Sequence, residues 1–317
     1  MKVIDKIKNA KSALFTFELL PPLKGRNIQE IYDAIDPLVE FNPAYINITY
    51  HQREVVYRPR PDGLIERQLV RKRPGTVAVA SAIQHKYNIT VVPHLICGGF
   101  TKEQIENILI DFHFLDIKNL LILRGDPEKG KRKFAAEEGG HTYSSELVQQ
   151  VMDLNQGKYL HNNIENAMPT DFSVGVAGYP EKHIECPNVD LDLQNLKNKV
   201  DKGADYIVTQ MFFDNQKFFD FVKRCRDIGI TVPIIPGLKP ISALSDSSLL
   251  PQTFNIDLPN DLINEIKKCT TRKQVREVGV EWAIAQSKEL IQYGVPGIHY
   301  YTLGQSDNIK KIVQSVY

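Results

Sequence analysis

Short apolar runs recur along the chain, and polar stretches with helical periodicity fill most of the spaces between them. The runs predict strands over 13–18 (ALFTFE), 44–50 (AYINITY), 90–96 (TVVPHLI), 118–124 (KNLLILR), 172–178 (FSVGVAG), 205–212 (DYIVTQMF), 232–238 (VPIIPGL) and 298–303 (IHYYTL). Amphipathic spacing predicts helices over 27–40, 66–87, 101–115, 144–155, 190–203, 214–228 and 271–293. Thr101 with Gln104 has the pattern of a capping box, and Asp214 suits the N-cap of the following helix. Strands that alternate with helices pair in parallel, and strands apolar on both faces with no edge-like member favour closure. The predicted fold is α/β, a single (β/α)8 TIM barrel over residues 1–317, in keeping with the roughly 250 residues such a barrel needs.

Two stretches break the rhythm. Residues 51–65 (HQREVVYRPRPDGLI) are polar, carry Pro59 and Pro61, and read as a long loop over the barrel mouth. Residues 156–171 read as an insertion before the fifth strand. Neither has the composition of a linker to a second domain.

The first strand poses a chemical question. In FTFELLPP (15–22) an apolar run ends in a carboxylate, and Pro21-Pro22 then stop it, since proline cannot donate to a ladder. Glu18 therefore belongs at a strand end. In a barrel, polar residues at the C-terminal strand ends converge on one site. Here those ends offer Glu18, Thr49-Tyr50-His51, His94, Arg124-Gly125-Asp126, Tyr179 with His183, Gln210, Lys239 and Tyr301-Thr302.

Composition narrows the classes without choosing among them. The chain is 42% hydrophobic and carries 39 basic against 38 acidic residues, so nothing predicts a broad nucleic-acid or membrane surface. A homo-oligomer is compatible with this composition. The cysteines (Cys97, Cys186, Cys225, Cys269) form no CxxC pair, and the histidines form no HxH or HExxH, so no metal is expected. No G-x-G-x-x-G follows a strand and no Walker sequence occurs, which argues against Rossmann and P-loop nucleotide sites. The start (MKVIDKIKNAK) has no apolar signal core and no apolar run is long enough to span a membrane, so a cytoplasmic protein is expected.

At this point a resemblance enters. FELLPP at 17–22, NITY at 47–50, PHL at 93–95, LRGD at 123–126, YPEKH at 179–183, LKNKVDKGADYIVTQMFFD at 196–214, IIPGLKP at 234–240 and HYYTL at 299–303 resemble the methylenetetrahydrofolate reductase family, in the same order along nearly the whole chain. The resemblance implies a flavoprotein barrel that holds FAD and uses NADH or NADPH to reduce 5,10-methylenetetrahydrofolate to 5-methyltetrahydrofolate, the methyl donor for methionine synthesis. It also implies the short bacterial form, with no inhibition by S-adenosylmethionine.

Roles follow residue by residue. Glu18 is implied as the general acid that protonates N10 of the substrate, and its apolar flanks are expected to raise its pKa by desolvation. Asp126 is implied at both flavin and pterin, where it stabilises an iminium cation. Arg124 and Gly125 are implied at the flavin, His94, Tyr179, Thr49 and Tyr50 along its ring and ribityl chain, and His183 and Lys199 at its pyrophosphate. Asp192, Asn195 and Lys199 lie at i, i+3 and i+7, on one helix face. Tyr143 and Ser144 match a segment at the adenosine half. Glu18, Thr49, Asp126 and Gln210 are implied at the substrate, with the Gln210 amide meeting the pterin or the nicotinamide in turn. One departure concerns the end of the barrel, where related sequences often read Asn-Arg after HYYTL and this chain reads Gly304-Gln305. Two other readings of the mouth are a barrel lyase without flavin and a non-enzymatic folate-binding subunit.

Overall fold

The computed structural model describes residues 1–128, 131, 133–161, 164–302 and 306–317. Position 304–305, where the sequence departs from related ones, lies outside the described residues.

The barrel strands are β1 (Leu14–Leu19), β2 (Tyr45–Ile48), β5 (Val91–Ile96), β6 (Asn119–Leu123), β7 (Ser173–Gly178), β8 (Tyr206–Met211), β9 (Ile234–Leu238) and β10 (Gly297–Tyr301). They close in the order β1-β10-β9-β8-β7-β6-β5-β2, and every pairing is parallel. Each lies within a residue or two of its expected span. The first strand closes the ring by pairing Glu18 with Tyr301 on one side and with Asn47 on the other.

Helices α2 (Gln29–Val39), α3 (Thr76–Tyr87), α4 (Lys102–Phe114), α5 (Ser144–Asn155), α6 (Val189–Asp201), α7 (Asn215–Asp227), α10 (Arg272–Tyr293) and α11 (Ser306–Val316) surround it. The Thr101–Gln104 capping box forms in both directions, and the Asp214 side chain accepts from the Gln216 N–H. Strand side chains alternate between the two surfaces of the sheet. Phe15, Phe17 and Leu19 accordingly pack under the helices in the main apolar core.

A short N-terminal helix, α1 (Val3–Asn9), was not evident from the sequence. Its Val3 and Ile7 pack against Tyr45, Val92, Leu121, Tyr206, Val208 and Ile235, and the Val3 N–H donates to Asn119 Oδ1 (2.7 Å). Two further helices, α8 (Asp246–Phe254) and α9 (Asn260–Lys268), fill the connection after β9 and bury Leu250, Leu262 and Ile266 in a separate cluster.

The segment expected to be a loop is a β-hairpin. Strands β3 (Glu54–Pro59) and β4 (Ile65–Val70) pair antiparallel around an Arg60–Leu64 turn. The helix expected over 66–87 is corrected with it, because α3 starts only at Thr76, after Pro74-Gly75. Proline disfavours helical backbone in the residue before it, which separates 66–73 from the helix. The 156–171 segment is tied to the end of α5, where Asn155 Oδ1 accepts from Thr170 Oγ1 (2.7 Å) and the Phe172 N–H (2.8 Å). That is the opposite end of the barrel from the strand C-termini. Among the described residues no helix is long and apolar enough to cross a membrane.

Candidate active site

Alternation along β1 decides where Glu18 points. With Phe17 and Leu19 turned to the helices, Glu18 and Thr16 turn into the barrel, at the mouth end. Glu18 is only 8% exposed, and its carboxyl group has polar neighbours on both oxygens. Thr49 Oγ1 donates to its Oε1 (2.8 Å), His94 Nε2 lies 3.4 Å from its Oε2, and His299 Nε2 lies 3.8 Å from the same oxygen. His299 is held in turn by Thr16 Oγ1 (2.9 Å from Nδ1), and His94 by Asn47 Nδ2 (3.4 Å from Nε2). Thr302 Oγ1 donates to the Glu18 backbone carbonyl (2.7 Å), which anchors the strand end.

The expectation that burial raises the Glu18 pKa is corrected. Burial pushes it up, but the His94 and His299 rings and the Thr49 hydroxyl outweigh that push and hold the carboxyl below its ordinary value. Burial pushes His94 down to about 4, against the attraction of Glu18. At neutral pH the pair is thus a carboxylate facing a neutral imidazole.

Acid should therefore unfold this protein in a graded way. Below pH 6.5 the unfolded chain protonates His94 while the folded chain does not until about pH 4, so stability falls across that window. The lowered Glu18 pKa acts in the same direction at lower pH, because its stabilisation is lost as pH falls through the folded value. Urea midpoints measured between pH 7 and 4 should fall more steeply for the wild type than for His94→Gln. Parallel curves would show that His94 titrates as it does in the unfolded chain.

Around this centre lies a cavity of about 620 Å³. It is lined by Glu18, Thr49, Tyr50, His94, Arg124, Gly125, Asp126, Tyr179, His183 and Gln210, so the sequence-derived candidates from six strand ends do converge. Gly125 has φ +87°, and a Cβ there would stand 3.2 Å from Ile96 Cδ1. A side chain at this position would also close the approach of a flat ligand to the backbone. Arg124 pairs with Glu185 (2.7 Å) rather than with Asp126, and lies over the Phe134 ring (5.0 Å). Tyr179 and His183 meet edge to face at 4.7 Å. Gln210 Oε1 accepts from the Met211 N–H (2.9 Å).

Of the strand-end candidates Lys239 and Thr302 do not line this cavity, and neither do five residues given roles by the resemblance: Tyr143, Ser144, Asp192, Asn195 and Lys199. Two of these five reach its wall indirectly. Asp192 Oδ2 accepts from the His183 N–H (2.9 Å), and Lys199 Nζ donates to the Ala177 carbonyl (2.5 Å) at the end of β7. Burial pushes Lys199 down to about 8, with Asp192 opposing. Asn195 is exposed on the same helix, and Tyr143 stands 59% exposed at the start of α5, beside a separate groove. Among the described residues no group of three or more His, Cys, Asp or Glu is placed to hold a metal ion.

Sequence reasoning missed His299, which touches the central carboxylate, and the rim residues Gln52, Arg53, Lys72, Arg73 and Glu185, while His51 from the end of β2 lines the rim as expected. Strict alternation in IHYYTL would have turned His299 inward once Ile298 was assigned to the core. The missed rim residues had no local signal, because loops far apart in sequence bring them together.

The sequence profile described as methylenetetrahydrofolate reductase matches residues 3–317. The chain belongs to that family. It is 31% identical over 316 residues to methylenetetrahydrofolate reductase (NADH) 1 of Arabidopsis thaliana, covering 96% of this chain and 48% of the relative. It is 28% identical over 293 residues to the 5,10-methylenetetrahydrofolate reductase of Salmonella typhimurium, covering 92% of this chain and 86% of the relative. A probable NADPH-dependent family member of Caenorhabditis elegans is 25% identical over 315 residues, 99% of this chain and 43% of that one. The chain thus spans about half the length of its eukaryotic relatives and most of the bacterial one. Among solved structures, an uncharacterised Clostridium thermocellum protein that binds two copies of 5-methyl-5,6,7,8-tetrahydrofolic acid aligns with a TM-score of 0.59 at 14% identity, over 98% of this chain and 96% of that one. A 2,3-dimethylmalate lyase aligns at 0.51 and 8%, over 98% and 82%. At such identities these likenesses speak for the barrel alone.

Proposed function

We propose that this chain reduces 5,10-methylenetetrahydrofolate to 5-methyltetrahydrofolate with NADH or NADPH through bound FAD, in the cytoplasm, and so supplies methyl groups for methionine synthesis. The observation that carries the reading is Glu18, a buried carboxyl group at the floor of an open cavity, held by Thr49 between two imidazoles. Family membership supports the reaction class, and the cavity supports a flat ligand. Its volume falls in the range of about 300–1,000 Å³ typical of ligand sites, Gly125 leaves backbone uncovered, and His94 Nδ1 is buried without a hydrogen-bond partner. Bound FAD would supply the hydride relay between nicotinamide and folate, and the residues at the mouth would hold and orient it.

The residues then divide the work. Glu18, a carboxylate in the resting site, is the group placed to take up a proton and pass it to N10. Asp126, at the same mouth, offers a carboxylate to the developing cation of the pterin. Arg124 and Gly125 border the flavin ring, while Thr49, Tyr50, His94 and Tyr179 line the walls. His183 and Lys199 supply positive charge for the pyrophosphate, with Asp192 and Asn195 on the same helix face, and Tyr143 and Ser144 reach the adenosine half. Gln210 presents its amide to whichever ring stands over the mouth. One open face serves both ligands in turn, which makes the sequence ping-pong.

The deciding experiment is a visible spectrum of the purified protein before and after FAD titration. An oxidised-flavin band that stays with the protein supports the reading, and no retained flavin after titration would sink it. His183→Ala with Lys199→Ala should leave the chain folded but weaken FAD binding by roughly 1–3 kcal/mol per contact removed. Unchanged FAD affinity in that double variant would remove both residues from the cofactor.

A further inference from the structure

The β3–β4 hairpin has no part in the chemistry above, yet its root forms one side of the cavity rim. His51, Gln52, Arg53 and Glu54 enter the lining from before β3, and Lys72 and Arg73 from after β4. The root is fastened on both sides. The Lys24 N–H donates to the Lys72 carbonyl (2.8 Å) and Arg73 Nη1 to the Pro21 carbonyl, next to β1. Gln52 Nε2 donates to the Asp126 carbonyl (2.9 Å), and Arg67 pairs with Glu128 (2.9 Å), after β6. The hairpin is thereby held at a fixed place against the mouth.

Its charges are unevenly matched. Lys72 pairs with Glu54 (2.5 Å), and across the mouth Arg124 pairs with Glu185 (2.7 Å). Among the described residues neither Arg53 nor Arg73 has a carboxylate partner. Arg53 is exposed, and Arg73 is half-buried with one of its five N–H donors on Pro21. Among the described residues, two guanidinium groups without an ion pair thus stand on the cavity rim. Guanidinium donors in that state suit bidentate contacts to carboxylate or phosphate.

We propose that the hairpin root is a docking site for the anionic tail of the ligand whose flat head occupies the cavity, with Arg53 and Arg73 as its contacts. The proposal rests on the function proposed above and extends it to the outer part of the ligand. The shared chemistry is a tail of carboxylates or phosphates, and two sources carry it: the γ-linked glutamates of a folate, and the phosphates of a nicotinamide dinucleotide. A cavity of about 620 Å³ takes the ring systems, and the tails lead out across the rim.

The test compares tails on a constant head. Dissociation constants of the FAD-loaded protein are measured by equilibrium titration for 5-methyltetrahydrofolate with one and with five glutamates, and for NAD⁺ and NADP⁺, in the wild type and in Arg53→Glu. Arg53 is exposed and has no carboxylate partner among the described residues, so this variant should fold normally. Arg73→Gln is the second variant, with its urea midpoint checked because it loses the Pro21 contact. The wild type should prefer the more anionic member of at least one pair. Arg53→Glu should erase most of that preference, on the order of fivefold or more, while the less anionic member changes little. The difference should shrink in 1 M salt, where screening shortens to about 3 Å. Loss confined to the folate pair identifies the glutamates, and loss confined to the nicotinamide pair identifies the phosphates. Equal affinities within both pairs in the wild type, or a preference untouched by both variants, would overturn the proposal. If the protein retains no flavin, the reading of function fails instead. The same titrations on the FAD-free chain still decide whether the rim prefers an anionic tail.

Discussion

Glu18→Gln is expected to stop folate reduction while leaving oxidation of the nicotinamide by the flavin near its wild-type rate. Glutamine keeps the shape and offers an amide oxygen in place of the carboxylate oxygen that accepts from Thr49 Oγ1 (2.8 Å), so the wall of the cavity should stay in place. What disappears is a group that can carry a proton to the leaving nitrogen. General acid catalysis contributes about 10²–10⁴-fold, and the loss in the folate half-reaction should reach that range. Separate stopped-flow measurements of the two half-reactions make the distinction. An equal fall in both would show that Glu18 only supports the structure. The acid limb of the folate half-reaction's pH profile should also vanish in the variant, because the titrating carboxyl group is gone.

The largest effect on stability is expected at Gly279, in the middle of α10. Alanine there would place its Cβ 2.0 Å from the Ile241 carbonyl oxygen and 2.8 Å from the Ile241 N and C atoms. These are backbone atoms, just after β9, and they cannot swing aside as a side-chain end would. On helix propensity alone alanine would gain about 1 kcal/mol over glycine. Overpacking of this kind costs typically 1–3 kcal/mol and occasionally more, and contact with an anchored backbone places it at the upper end. Gly279→Ala should therefore lose about 2 kcal/mol net in urea unfolding at pH 7. A variant as stable as the wild type would mean that the helix shifts freely on the barrel. Gly279 thus matters for close approach, not for an unusual backbone angle.

The sequence by itself determined the barrel. Eight strands appear where the apolar runs predicted them, because a strand buried on both faces must be apolar through its length whatever surrounds it. It also determined that Glu18, Thr49, His94, Asp126, Tyr179 and Gln210 share a mouth, since parallel closure brings all C-terminal strand ends to one side. Tertiary structure decided the rest. REVVYRP and IERQLVRK look polar one residue at a time, and only their pairing with each other makes them strands, so the hairpin was invisible to a local reading. Arg53 and Arg73 reach the rim through that pairing and through carbonyl groups on β1 and β6 loops. The protonation of Glu18 was decided in the same way. Its flanks in sequence are apolar and suggest a raised pKa, but the groups that set its charge come from β2, β5 and β10, whose side chains meet it only when the barrel closes. Burial can be read from neighbours along the chain, whereas electrostatics depends on neighbours in space.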